Sequence, residues 1–159
     1  MLADRALSVR PYRADDLDAV IGIFLEAIRR SAAKDYGQGE IEAWAQVDRQ
    51  AWALARLSRP TWVAAVGQDP AGFTDLKPHG HLDMMYVHPA HQRMGVASVL
   101  LERVETAARE QGLSRIFTEA SITARPFFQR RGFRLLSAQV VELRGQRLAN
   151  FKMEKLLSR

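Results

Sequence analysis

One segment, residues 82–104, constrains the fold more than any other part of the chain. It opens with a mostly apolar stretch that predicts a β-strand and stops at Pro89. A short basic turn with one glycine, Gly95, follows, and apolar residues at helical spacing begin directly after it. The segment therefore predicts a strand, a tight turn and an amphipathic helix in immediate succession, a local pattern typical of proteins that combine both element types.

The same turn predicts a phosphate-binding site. The first backbone N–H groups of a helix have no partner within the helix and carry partial positive charge. Gly95 has no side chain that would keep a phosphate away from them, and Gln92 and Arg93 add donors beside it. Many proteins have such a turn only to reverse the chain, so the pattern alone leaves phosphate binding and chain reversal open.

The order of residues in the turn is more specific than its glycine. The run Gln92-Arg93-Met94-Gly95-Val96-Ala97 resembles the Gln/Arg-x-x-Gly-x-Gly/Ala signature of the GNAT acetyltransferases, which bind acetyl-coenzyme A (acetyl-CoA). The preceding Tyr86-Val87-His88-Pro89 resembles the end of that family's fourth strand. One departure is Ala97, which stands where a second glycine is usual.

A later segment, residues 121–133, is similar to a second motif of the family. There an Asn begins a helix, an Ala follows three residues on, and a Tyr precedes a closing Gly-Phe. Ala124 and Gly132-Phe133 match, whereas Ser121 replaces the Asn and Phe128 replaces the Tyr. That Tyr usually protonates the departing thiolate in the family, so the resemblance implies that another group or water has this role here.

The resemblance spans about residues 5–157 and implies one N-acetyltransferase domain over residues 1–159 with an acyl-CoA N-acyltransferase fold. The order of predicted elements agrees with it. An early strand hairpin, followed by strands that alternate with helices, suggests an α/β fold of the mixed α+β kind: a central, mostly antiparallel sheet with helices on both faces. We expect one strand at residues 81–87 and one helical stretch from about residue 41 to Pro60.

The resemblance also implies which residues contact acetyl-CoA. The pyrophosphate would lie on the turn before the helix, the pantetheine and acetyl groups along the end of the strand, and the second motif beside them. The predicted contact residues are Met85, Tyr86, Val87, Gln92, Arg93, Met94, Gly95, Val96, Ala97, Ser98, Ser121, Ala124, Phe127, Phe128 and Arg130.

Composition narrows the chemistry and the partners. The 159 residues are 47% hydrophobic and 26% charged, which suits one globular domain with its own core. With no cysteine there is no disulfide, thiolate metal site or cysteine acyl-enzyme, so acetyl transfer would go directly from the thioester to the acceptor. The acceptor would be a small-molecule or protein amine, and we expect a monomer or homodimer.

A net charge of +5 is compatible with binding to nucleic acid. The arginines are spread along the chain, however, and those near the two motifs are explained by an anionic cofactor, so we expect no nucleic-acid partner. No apolar run approaches membrane-spanning length, and residues 1–10 contain no signal-peptide core, so we expect no membrane association and a cytoplasmic protein.

Candidate catalytic residues precede the cofactor turn. His79, His81 and Asp83 are spaced to share one face of a strand. The resemblance implies that His81 and Asp83 face the acceptor and act as, or bind water for, the general base, and a His pKa near 6.5 suits that role. The alternative is a solvated sheet face. Because Phe128 cannot donate a proton, Tyr36 is a candidate acid, with a plain loop tyrosine as its alternative.

Two further alternatives stay open. The sequence His-x-His-x-Asp at His79, His81 and Asp83 could bind a metal, but His88 and His91 lie at the far end of the predicted strand, so the four histidines are not expected to converge and no metal is predicted. The other functional class is a module that senses acyl-CoA without turnover, which the missing hydroxyl at position 128 keeps open.

Overall fold

The computed structural model describes residues 6–158, so the ends of the predicted domain, residues 1–5 and 159, lie outside the described residues. In that part of the chain, no helix is both long and apolar enough to cross a bilayer. The elements are, in chain order, β1 (Leu7–Pro11), α1 (Leu17–Glu26) with a π-helical turn at Ala27–Ser31, α2 (Gln38–Trp44), α3 (Arg49–Leu57), β2 (Thr61–Val66), β3 (Asp69–Asp75), β4 (Met85–Val87), α4 (Val96–Glu110), β5 (Arg115–Ser121), α5 (Arg125–Arg130), β6 (Arg134–Leu143) and β7 (Gln146–Leu156).

The strands form two antiparallel sheets that meet side by side. The first has the order β1-β2-β3-β4 and the second has the order β5-β7-β6. The predicted mixed fold with mostly antiparallel pairing is confirmed. The single central sheet of the prediction is, in the structure, divided between β4 and β5, and this division creates the site described below.

Helices cover both faces of the first sheet, as predicted. Strand β2 is buried along its whole length, and its side chains alternate between two cores. Val63 packs in one core with Val20 and Phe24 of α1. Trp62 packs in another with Val104 of α4. Burial of side chains of this size contributes about 1.5–3 kcal/mol each, so the two cores fix the helices against the sheet.

The prediction of one continuous helical stretch before Pro60 is wrong. The structure breaks it into α2 and α3 because Ala45 leaves the helical conformation, with φ −80° and ψ 60°. A new helix then begins at Asp48, whose side chain accepts a hydrogen bond from the N–H of Ala51 at 3.1 Å. An aspartate at this position satisfies a helix-start donor, which favours the restart.

The predicted strand at residues 81–87 is shorter than expected, since only 85–87 form β4. The cause is Asp75, a fully buried carboxylate at the end of β3. Its Oδ1 accepts hydrogen bonds from the N–H groups of Asp83, at 3.1 Å, and Met84, at 2.9 Å. His79, three residues before Leu82, lies in a left-handed turn with φ 69° rather than in a strand.

Candidate active site

The two sheets touch at one point and then separate. Before β4 begins, the N–H of Leu82 donates to the Phe117 carbonyl at 2.9 Å, and the Thr118 hydroxyl donates to the Leu82 carbonyl at 2.8 Å. Gly80 permits this approach, because a Cβ there would lie 2.4 Å from the Arg115 carbonyl oxygen. Beyond this point β4 pairs with β3 and β5 pairs with β7, so the described chain leaves a wedge between β4 and β5.

The open edge of β4 presents backbone groups to this wedge. His88 donates its N–H to Ala71 of β3 at 2.8 Å, and Met84 accepts from Asp75 at 3.2 Å. Backbone groups alternate in direction along a strand, so those of Met85 and Val87 point the other way, into the wedge. No described strand pairs with that edge, so these groups are available to a ligand.

The turn before α4 closes one side of the wedge. Gly95 has φ 84° and no side-chain cap, and the first helical hydrogen bond runs from Val99 N–H to the Gly95 carbonyl at 3.1 Å. The N–H groups of residues 96–98 therefore have no acceptor within the helix. Gln92 is held in the turn by its side-chain hydrogen bond to Ser31, at 2.8 Å.

A cavity of about 500 Å³ runs from this turn into the wedge. All of the predicted cofactor-contacting residues line it except Met94, whose side chain faces solvent. Its charged wall residues are cationic, because Arg93, Arg130 and Arg131 line it and no carboxylate of the described residues does. The sequence did not predict the wall formed by the π-helical turn after α1, which contributes Ala27, Ile28 and Ser31.

The second motif occupies the inner end of this cavity. The Ser121 hydroxyl accepts a hydrogen bond from the N–H of Ala124 at 3.0 Å, just before α5 begins. Ser121 is the residue that replaces the Asn of the motif. Phe128 is buried, and its ring centroid lies 5.4 Å from that of Phe127 and 5.0 Å from that of Phe133. No hydroxyl comes from position 128.

A second cavity of about 250 Å³ opens on the other side of the wedge. Ser121, Ala124 and Phe128 belong to the walls of both cavities, so the two meet at the inner end of the wedge. The second cavity contains two carboxylates, Asp83 and Glu119, and no Lys or Arg among the described wall residues. The charges of the two cavities are therefore opposite in sign.

Glu119, which sequence analysis missed, connects the predicted catalytic residues. Its carboxylate lies 2.9 Å from His81 Nε2, and His81 Nε2 lies 4.0 Å from Asp83. His81 itself does not line the second cavity; its ring stacks on Phe117 with centroids 4.8 Å apart. Asp83 also lies 3.4 Å from Arg59. The one available signal was an acidic residue within an otherwise uncharged run, 116–121.

Tyr36 borders the second cavity, as its loop position suggested, but its hydroxyl is occupied. It donates to the Ala149 carbonyl at 2.6 Å and accepts from the N–H of Ile122 at 2.9 Å. Burial raises the pKa of this hydroxyl. In this geometry Tyr36 links β7 to the end of β5 through two hydrogen bonds, and its hydroxyl is not free to act as the proton donor that the sequence suggested.

The His81, Asp83 and Glu119 side chains each offer a possible ligand atom, and these atoms lie within 4.8 Å of one another. His79, part of the His-x-His-x-Asp alternative, is not in this group. Carboxylates near a histidine commonly lie this close without an ion, and Arg59 already occupies one side of Asp83. The expected absence of a metal stays a prediction.

Comparison with known proteins identifies the family. A model of the GNAT acetyltransferase domain matches residues 32–156. The N-acetyltransferase YafP of Escherichia coli (strain K12), itself described as uncharacterised, is 36% identical over 147 residues, which cover 92% of this chain and 94% of that protein. The chain belongs to the GNAT acetyltransferase family. It is therefore an acetyl-CoA-dependent N-acetyltransferase.

Solved structures agree with this assignment. A GNAT protein from Rhodopseudomonas palustris superposes with a TM-score of 0.92 at 33% identity and covers 94% of this chain and 95% of its own. The PaiA N-acetyltransferase from Thermoplasma acidophilum, solved in complex with coenzyme A, superposes with a TM-score of 0.79. It is 17% identical, with coverage of 96% and 99% of the two chains, and at that identity the likeness shows the fold alone.

Proposed function

We propose that this GNAT protein transfers the acetyl group of acetyl-CoA directly to an amine, at the wedge between β4 and β5. One observation carries the proposal: a cationic cavity and an acidic cavity meet at the inner end of this wedge. The first suits a polyanionic cofactor and the second suits an amine. The absence of cysteine removes the thiol needed for a cysteine acyl-enzyme, which favours direct transfer.

Acetyl-CoA would lie along the first cavity. Its pyrophosphate would accept hydrogen bonds from the free N–H groups at the start of α4, where the helix dipole favours negative charge. Its pantetheine would pair with the exposed edge of β4, at Met85 and Val87, much as another strand would. The coenzyme A bound to the PaiA relative supports this choice of ligand.

The acceptor amine would approach from the second cavity and must lose a proton to attack the thioester. Glu119 and Asp83 are the carboxylates in that wall, and His81 hydrogen-bonds to Glu119. We assign the general base to this group, with Glu119 nearest the amine and His81 receiving or sharing the proton. An N–H group on the open edge of β4 would polarise the thioester carbonyl.

The first test substitutes Gly95 by Asp. The variant places a carboxylate in the turn proposed to hold the pyrophosphate, at a position whose φ of 84° disfavours any side chain. Calorimetry should show acetyl-CoA binding weakened at least about a hundredfold, because repulsion adds to the loss of helix-start contacts. Gly112→Asp is the matched control: it changes the same residue type, also at positive φ, at the opposite end of α4.

Activity is read as thiol release from acetyl-CoA with a panel of amines, and the protein adds no thiol of its own to the signal. Thiol release that depends on an amine supports the proposal. Tight acetyl-CoA binding without release for any amine would instead favour the sensing module. Unchanged binding by the Gly95 variant would overturn the cofactor site.

A further inference from the structure

We infer that the acceptor is a small primary amine with an apolar body and no carboxylate beside the amine. This inference rests on the proposed function, because it assigns the second cavity to the acceptor. Four features of that cavity carry it: the charges of its wall, the order of its polar and apolar surfaces, a buried amide oxygen without a partner, and its volume.

The charges select against anionic acceptors. Asp83 and Glu119 lie in the wall, and Arg59, which contacts Asp83 at 3.4 Å, also contacts the buried Asp75 at 3.5 Å. Lys152 is the cross-strand neighbour of Glu119, but its side chain is exposed and does not line the cavity. A carboxylate on the acceptor would therefore lose water without meeting a cation, which is costly.

The wall changes from acidic to apolar across the second sheet. Glu119 lies on β5, beside the contact with β4, whereas Leu148 lies on β7 and Val141 pairs with it from β6, the far strand of that sheet. Leu143 and Trp44 complete the apolar end. An amine bound at Glu119 therefore extends its remaining atoms over hydrocarbon and an indole ring.

Asn150 lies between these two ends. It pairs in register with Ser121, so its side chain emerges on the same face of the sheet as Ser121 and Glu119. Asn150 lines the cavity, and its Oδ1 is buried and accepts no hydrogen bond from the described residues. A buried acceptor without a donor costs free energy unless a ligand supplies one. A primary amine has two N–H groups, one for Glu119 and one for Asn150.

The volume of the cavity suits a small acceptor. Its 250 Å³ corresponds to about eight water molecules at roughly 30 Å³ each. An amine of about ten non-hydrogen atoms fills such a space. Phenethylamine has a suitable size and an apolar body, so it serves as the probe.

The experiment compares three acceptors with the full-length protein: phenethylamine, phenylalanine and phenylalanine amide. Phenylalanine adds only a carboxylate beside the amine, and the amide adds a neutral group of the same size. We expect kcat/KM for phenethylamine to exceed that for phenylalanine at least tenfold, with phenylalanine amide closer to phenethylamine. Equal rates with phenethylamine and phenylalanine would overturn the inference, as would acetylation confined to peptide lysines.

A pair of variants tests the charge of the wall. Val141→Lys adds a cation inside the cavity, and Val140→Lys adds the same cation at the preceding, solvent-exposed residue of β6. Val141→Lys should lower kcat/KM for phenethylamine and reduce the preference over phenylalanine at least fivefold. Val140→Lys should leave both unchanged. If the two variants behave alike, the cavity does not bind the acceptor.

Asn150→Leu tests whether the unpaired Oδ1 of Asn150 accepts a hydrogen bond from the acceptor. Loss of one neutral hydrogen bond corresponds to a fall of about three- to tenfold in kcat/KM for phenethylamine. Acetyl-CoA affinity should not change, since Asn150 does not line the first cavity. Full activity of this variant would show that Asn150 does not contact the acceptor. Absence of thiol release with every amine tested would be a failure of the proposed function itself and would be recognised as such.

Discussion

Single residues decide which proton transfers the site can perform. Phe128 offers no acid, and the hydroxyl of Tyr36 is engaged in a hydrogen bond to the Ala149 carbonyl. A thiol with an ordinary pKa near 8.5 leaves as a thiolate more readily than an amine with a pKa near 10 gives up its proton. The reaction therefore needs a base more than it needs an acid, and we propose the carboxylates of Asp83 and Glu119 for that role.

A residue-scale prediction follows for Glu119→Gln. The amide keeps the shape of the side chain but cannot accept the proton, so kcat/KM should fall about 10²–10⁴-fold while acetyl-CoA binding is unchanged. The activity that remains should depend on amine that has already lost its proton in solvent, so it should rise with pH. Glu102→Gln on the exposed face of α4 is the control.

The outcome also distinguishes the members of the group. If Glu119→Gln keeps full activity and His81→Ala instead removes the pH-dependent limb, the base is His81, as the sequence first suggested. If only Asp83→Asn is inactive, Asp83 acts through bound water.

At the scale of elements, the second sheet depends on one buried carboxylate that joins its three strands. Glu154 of β7 accepts from Arg115 of β5 at 2.9 Å and from Arg134 of β6 at 2.8 Å. The hydrogen bond with Arg134, followed by that with Arg115, lowers the pKa of the Glu154 carboxyl. The two arginines stabilise the ionised Glu154 in the folded sheet, and the unfolded chain has no such ion pairs.

We predict that Glu154→Gln lowers the melting temperature at neutral pH by several degrees. Since the pKa is lower in the folded state, the stabilisation is complete above the unfolded value, near 4.3, and is lost as the pH falls through and below it. Thermal melts at pH 7, 5 and 3 should therefore show the difference between variant and wild type shrinking with acid. A difference that stays constant with pH would show that the ion pairs contribute no charge-dependent stability.

At the scale of the whole molecule, the site exists because two sheets share one short contact and then part. The acetyl-CoA proposed here would fill the wedge and join the β4 edge to the second sheet through its pantetheine. Binding would therefore protect backbone groups that the folded chain leaves unpaired, without requiring any element to move.

Amide hydrogen exchange followed by NMR tests this arrangement. Acetyl-CoA should slow exchange at Met85 or Val87, whose N–H groups face the wedge, by at least tenfold. His88, which already donates to Ala71, should change little. Slowing at His88 alone, or none at residues 85–87, would place the pantetheine elsewhere.

The sequence by itself determined the local parts of this protein. The strand, the Gly95 turn and helix α4 follow from residues that are adjacent in the chain, because turn and helix-start preferences act over a few residues. These local patterns, with the resemblance they support, were enough to predict the mixed fold and 14 of the 22 residues that line the first cavity.

Only the tertiary structure decided where the sheet divides and which side chains line the proposed acceptor cavity. The buried Asp75 shortens β4 by binding the N–H groups of Asp83 and Met84, a contact across eight or nine residues that no periodicity encodes. Glu119 meets His81 across 38 residues, and Asn150 of another strand lies in the same cavity wall as Glu119. The pairing of distant strands places these groups together, and that pairing depends on the packing of the entire domain.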